Sequence, residues 1–191
     1  MSNPVCPLDE LLAMRREKAK RIFFALWPQD TLRQSLNRAA HTLALQAPAR
    51  RVADYNLHLT LHFIGNVSLE QLGCMKRQAR KVRAPGFDLS VDRQGCFSKA
   101  AVGWLGCSEV PLRLRQLHQD LGRRLRRCEF QPEARRYSPH VTVARKIRTM
   151  PTDTAFETKG RFTLVTVGLV TKQVKDAWAH PVIHAGRLYL R

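Results

Sequence analysis

Apolar positions along the chain follow two spacings, and the two alternate. Short apolar runs, continuous or alternating, read as strands. They are RIFFALWP, closed by Pro28; LHLTLHFIG, closed by Gly65 and Asn66; FDLSVDRQGCF and AAVGWLGC, joined by a turn around Ser98 and Lys99; HVTVARKI; and finally RFTLVTVGLVTK and GRLYLR. Helical spacing fills the intervals. It shows in Leu32, Leu36, Ala39 and Leu43, in Leu69, Leu72, Met75 and Ala79 behind Ser68, and in Leu112, Leu117, Leu121 and Leu125, a stripe with a basic outer face. A further helical piece is expected from Leu8 to about Lys20, with APARRVADYN a connection and Met150–Lys159 a loop. Helices and strands mix, yet strands also follow one another directly, so the expected fold class is α+β with largely antiparallel sheets.

Two strand patterns carry an unusual polar face. LHLTLHFIGN and PHVTVARK each place His-x-Thr in an apolar run, the histidines at positions 58 and 140, close to half the chain apart. Side chains alternate across a strand. Strict alternation puts His58, Thr60 and His62 on one face and Leu59, Leu61 and Phe63 on the other. It likewise groups His140, Thr142 and Ala144 against Val141, Val143 and Arg145. Arg145 then points away from the polar face, unless the strand ends or bulges near Ala144.

Charge changes the picture. The 191 residues hold 33 Lys+Arg against 15 Asp+Glu, a formal net charge of +18, and arginine dominates RREKAKR, RQLHQDLGRRLRRC and EARRYSPH. Such a chain fits a polyanion, and arginine's fork suits phosphate oxygens. A hydrophobic content of 44% is enough for an ordinary interior. No apolar run reaches the roughly 20 residues that span a bilayer, and the N-terminal stretch has no uninterrupted apolar segment of a secretory signal, so the expected location is cytoplasmic. Five scattered cysteines, Cys6, Cys74, Cys96, Cys107 and Cys128, argue against a disulfide framework and against a structural zinc site.

A single His-x-Thr in an apolar strand is more often a satisfied core pair than a reactive one. Two in matching contexts on a basic chain suggest one site with two imidazoles and two hydroxyls. Near neutral pH one imidazole can accept a proton while the other donates, and threonine hydroxyls can hold phosphate oxygens. Two histidines without a neighbouring carboxylate pattern make a poor metal ligand set, so neither metal nor cofactor is expected.

The same residues carry a family resemblance. HLTLHFIG and PHVTVAR resemble the paired signatures of the two-histidine phosphoesterase superfamily. RIFFAL followed by Pro28, Asn56–Gly65, Trp104 and SPHVTVAR resemble its bacterial RNA 2′,3′-cyclic phosphodiesterase branch, historically called 2′-5′ RNA ligase. The resemblance covers residues 21–191 as a single domain, with residues 1–20 an N-terminal extension. It implies a bilobal, pseudo-twofold α+β fold with two mainly antiparallel sheets flanked by helices and the active-site groove between the lobes. It also implies metal-independent hydrolysis of RNA 2′,3′-cyclic phosphate ends to 2′-phosphate ends, with 2′-5′ ligation as the reverse. His58 resembles the proton donor and His140 the proton acceptor, although near-symmetry leaves those two roles exchangeable. Thr60, Thr142 and Arg145 match phosphate-holding positions, and Phe63 and His62 are candidates for the substrate pocket. The implied partner is RNA with a 2′,3′-cyclic phosphate end, tRNA fragments among the candidates, met by a monomer without a membrane. Two other readings stay open on the residues alone: a non-catalytic basic RNA-binding module, and a phosphoesterase acting on a small cyclic nucleotide.

Overall fold

A computed structural model describes residues 20–84, 86–149, 151, 158–162, 168–172 and 182–185. The elements run β1 (Lys20–Leu26), α1 (Asp30–Gln46), β2 (Arg50–Arg51), β3 (Leu59–Val67), α2 (Leu69–Ala79), β4 (Phe87–Val91), β5 (Arg93–Phe97), β6 (Val102–Gly106), α3 (Leu112–Leu125), β7 (His140–Arg145), β8 (Thr158–Phe162), β9 (Gly168–Lys172) and β10 (Val182–Ala185). The expected helical piece before Lys20 and the expected strand GRLYLR lie outside the described residues.

Among the described residues one large sheet has the order β10-β9-β1-β3-β7-β6-β5, with β2 paired to β7, and β4 and β8 form a second, two-stranded sheet. The strand pairings are antiparallel throughout. The α+β class with antiparallel sheets and helices is therefore borne out. The two His-x-Thr strands are next-door neighbours at the middle of the large sheet.

Helical spacing produces the core. α1 buries Leu32, Leu36, Ala40 and Leu43, α2 buries Leu72, Met75 and Ala79, and α3 buries Leu114, Leu117, Leu121 and Leu125. These side chains join Leu59, Leu61, Val141 and Val143 in one apolar cluster. α1 packs against β7 and α3 against β3, so helices cover one face of the central strands. Ser68 starts α2 with a capping box: its hydroxyl accepts from the Gln71 amide, and the Gln71 side chain accepts from the Ser68 amide. Leu112, counted on the apolar stripe, is instead 64% exposed, and Leu114 fills the buried position.

Several expectations need correction. FDLSVDRQGCF is not one strand: it breaks at Asp92, whose carboxylate accepts from the Ser108 amide and hydroxyl, and its halves enter different sheets. β3 does not stop at Gly65 and Asn66 but continues to Val67, because Gly65 adopts a φ of 87° that carries the chain through an irregularity. The connection after α1 contains β2, and the tract expected as a loop ends inside β8, which takes up Thr158 and Lys159. The cysteine expectation also fails in part. Cys74 of α2 and Cys128 are disulfide-bonded with their Cα atoms 5.8 Å apart, while Cys96 and Cys107 are free. The pair is 54 residues apart in sequence and meets only because α2 packs on α3 and on the turn that follows it, a proximity that cysteine spacing does not reveal.

Candidate functional site

The site begins with a single bridge. β3 and β7 pair through Leu59↔Val141, both fully buried on the helix-covered side. An antiparallel register through that pair sets His58 opposite Thr142 and Thr60 opposite His140, all four on the other face. The two imidazoles are thus diagonal neighbours, a spacing of roughly 7–8 Å in such ladders. The four groups that the sequence singled out do converge.

Both rings are held alike. His58 Nδ1 lies 2.7 Å from the Asn56 carbonyl oxygen, and His140 Nδ1 lies 2.9 Å from the Ser138 carbonyl oxygen, each two residues back along the chain. A carbonyl accepts only, so Nδ1–H is the donor in each ring. That leaves Nε2 as the atom each ring offers to a ligand. His58 is further packed between Phe23, with ring centroids at 4.9 Å, and Trp27, at 5.6 Å. His140 meets the edge of Phe97 at 5.1 Å. Burial, with the positive charges of Arg145 and His140 adding to it, pushes the His58 pKa down to about 4 against the help of its Asn56 hydrogen bond. In the free site His58 is therefore a neutral imidazole at neutral pH.

Two bulges decide what stands beside these groups. Across β1 the register runs Ala25↔Thr60 and then Phe24↔His62, which makes Leu61 an extra residue in β3. Across β6 it runs Trp104↔Thr142 and then Gly103↔Ala144, which makes Val143 extra in β7. An extra residue interrupts the alternation of faces. Leu61 and His62 are accordingly both buried, as are Val143 and Ala144, and the next residue in each strand returns to the open side. Those residues are Phe63, 48% exposed, and Arg145, also exposed. Each lies three positions after its threonine. The difficulty over Arg145 is thus resolved by a bulge, and its proximity to His58 registers in that ring's lowered pKa.

The same bulge corrects the reading of His62. It does not share the face of His58 and Thr60; its ring turns toward α3, is 5% exposed, and its Nε2 lies 2.9 Å from the His118 carbonyl oxygen. It stacks on His118 at 4.1 Å, which stacks in turn on Tyr137 at 3.9 Å. Tyr137 donates its hydroxyl to the Thr60 carbonyl oxygen at 2.9 Å, tying β3 to the segment that leads into His140. Burial raises the Tyr137 pKa, which keeps that phenol protonated as a donor. The sequence reading missed Tyr137 and His118. Tyr137 was within reach as the aromatic residue of RRYSPH three positions before His140, whereas His118 looked like one polar position of an amphipathic helix.

This ring stack has a pH signature. Burial lowers the pKa of both His62 and His118, the latter to about 4, where the neighbouring His62 ring also opposes protonation. Glu133 favours a charged His62 but is outweighed. Above pH 6.5 folded and unfolded chains both hold these rings neutral. Below it the unfolded chain takes up protons that the folded one refuses, so stability falls from pH 6.5 toward 4. Thermal unfolding is expected to show a lower Tm at pH 5.0 than at 7.5, and His118→Phe is expected to narrow that difference. An unchanged difference in the variant would contradict the assignment.

Beyond their single bridge β3 and β7 are no longer paired, and a cavity of about 850 Å³ lies beside them. Thr60, His62 and Phe63 border it on one side and His140 on the other, with the stack His118–Tyr137 against it. Two imidazoles, two hydroxyls and a guanidinium around one open face are suited to a phosphate ester.

Comparison with known proteins agrees with this chemistry. The family model of the 2′-5′ RNA ligase superfamily matches residues 28–176. A protein of Escherichia coli (strain K12) named RNA 2′,3′-cyclic phosphodiesterase is 34% identical over 126 residues, which is 66% of this chain and 72% of that one. One of the same name from Aeropyrum pernix is 32% identical over 109 residues, 56% of this chain and 60% of that one. Among solved structures, E. coli LigT complexed with 3′-AMP superposes with a TM-score of 0.67 at 28% identity, covering 87% of this chain and 94% of that one.

Proposed function

The chain belongs to the 2′-5′ RNA ligase superfamily, and from that premise we propose that it is an RNA 2′,3′-cyclic phosphodiesterase that opens the cyclic phosphate to a 2′-phosphate end. The observation that carries the reading is the cross-strand square of His58, Thr142, Thr60 and His140, each imidazole fixed through Nδ1 with Nε2 free for a ligand.

In the proposed reaction the cyclic phosphate lies between the two rings. His140 Nε2 takes a proton from a water as its oxygen bonds to phosphorus. The bond from phosphorus to the 3′ oxygen breaks, and His58 Nε2 supplies the proton that oxygen needs to leave as a hydroxyl. The Thr60 and Thr142 hydroxyls and the Arg145 guanidinium donate to the non-bridging oxygens as negative charge builds on them. His58 must enter the step protonated, so the negative charge of the bound phosphate has to offset the burial that keeps the empty site's ring neutral. With the roles exchanged the same four groups run the same chemistry. A 5′-hydroxyl in place of the attacking water would bond to phosphorus as the 3′ oxygen leaves as a hydroxyl, giving a 2′-5′ linkage. Water, present in great excess, favours hydrolysis.

Incubating the protein with a short RNA that ends in a 2′,3′-cyclic phosphate, with EDTA in excess, tests the reading. Conversion to a 2′-phosphate end that is indifferent to EDTA is the expected result. No conversion, a 3′-phosphate product, or loss of activity with EDTA would overturn it.

A further inference from the structure

The cavity beside the proposed reacting groups holds more positive charge than a cyclic phosphate requires. Besides Thr60 and His140 it is bordered by Lys99, in the turn between β5 and β6, and by Arg135 and Arg136, in the segment that leads into β7. None of the three belongs to the set that faces the bridge between β3 and β7. Glu133 is the one carboxylate among the cavity's bordering residues, so three cations stand against one anion. A cyclic phosphate carries a single negative charge, for which the proposed reaction already uses Arg145, two hydroxyls and two imidazoles.

We propose that Lys99, Arg135 and Arg136 form a subsite for the phosphate on the 5′ side of the terminal nucleoside, which makes the substrate a nucleotide or RNA end and not a free nucleoside 2′,3′-cyclic phosphate. The proposal rests on the phosphodiesterase reading above and names its substrate class. With a cyclic phosphate between the imidazoles, the attached ribose and base occupy the cavity, between the exposed rings of Phe63 and Phe97. The 5′ oxygen of that ribose then lies within the same enclosure as the three cations. At about 850 Å³ the cavity is near the upper end of the range that encloses one drug-sized ligand, so a nucleoside leaves room for the phosphate that follows it. Arginine grips phosphate through two parallel N–H donors, and lysine adds a mobile point charge. The Arg135 guanidinium is held at 2.5 Å by Glu133, but both partners are largely exposed, at 82% and 61%. An ion pair so open to solvent is weak and exchanges readily for a phosphate. Contacts of this kind set register along a nucleic acid without reading its sequence.

Three substrates separate the contributions: a nucleoside 2′,3′-cyclic phosphate, the same molecule with a 5′-phosphate, and a dinucleotide ending in the cyclic phosphate. The 5′-phosphate is expected to raise kcat/KM by at least about tenfold, the scale of a hydrogen bond to a charged group. The dinucleotide should share that gain, and the gain should shrink with salt, steepening the logarithmic salt dependence by about 0.7 per phosphate. In the triple variant Lys99→Gln, Arg135→Gln, Arg136→Gln, and separately in Arg136→Gln, the ratio between phosphorylated and unphosphorylated substrates is expected to fall toward one. The ratio is the readout because damage to the fold lowers both rates together and leaves it intact. A ratio of one in the wild type, a ratio that survives the triple substitution, or a gain that appears only with the dinucleotide would overturn the subsite while leaving the phosphodiesterase reading in place. Failure to turn over any of the three would overturn both.

Discussion

Replacing His140 with alanine is expected to slow opening of an RNA 2′,3′-cyclic phosphate by roughly 10²–10⁴-fold, and His58→Ala by a similar factor. Each ring is presented through one Nε2, and each lies across from a threonine rather than from a group that could replace it in proton transfer. Because the two rings act on one event, the double variant is expected to lose much less than the product of the single losses. The two roles can be told apart by the leaving group. A phosphodiester that expels a nitrophenolate needs little protonation, so the donor's variant should recover most of its rate on that substrate, whereas the acceptor's variant should not. Recovery in His58→Ala assigns His58 as donor; recovery in His140→Ala reverses the assignment; no loss in either single variant sinks the mechanism. The buried His58 ring also predicts that the pH profile of kcat/KM for the wild type bends near pH 4, well below an ordinary histidine.

The second large effect concerns Arg145. Removing a preorganised donor to a developing phosphate charge costs on the order of 10²–10³-fold, and Arg145→Ala is expected to fall in that range with the fold intact, since the side chain is exposed. Arg145→Lys keeps the charge and loses the fork, so it should recover only part of the rate. Arg148→Ala, an exposed arginine just past β7, serves as the control for general loss of positive charge. Equal rates for Arg145→Ala and Arg148→Ala would show that Arg145 takes no part.

Much of this arrangement is legible in the residues. The three central helices declare themselves through leucine spacing, and the convergence of His58, Thr60, His140 and Thr142 follows from two matching triplets in apolar runs. Periodicity succeeds there because burial of one face is a local property of each segment. It fails where the cause lies elsewhere in the chain. Nothing in LTLHF says that Leu61 is an extra residue against β1, so strict alternation sends His62 to the wrong face and Phe63 to the buried one. Asp92 breaks an apparently continuous strand because Ser108, distant in sequence, binds its carboxylate. The Cys74–Cys128 bond depends on how two helices pack, and Tyr137 matters because its hydroxyl reaches a carbonyl in β3. Each of these is a long-range contact, and single-segment patterns do not carry long-range contacts.

The paired bulges give the two strands a reading frame. Up to each threonine the chain is read in steps of two, and after the extra residue the phase advances by one. Substitution changes a letter in that message, but insertion changes the phase. Inserting one residue after Ala144 would turn the Arg145 position inward, carrying a guanidinium into a layer now occupied by Ala144 and Val143, both 0% exposed. Burying that charge without a partner costs several kcal/mol. A segment one residue longer between Thr142 and Arg145 is therefore more damaging than most changes of side chain within it.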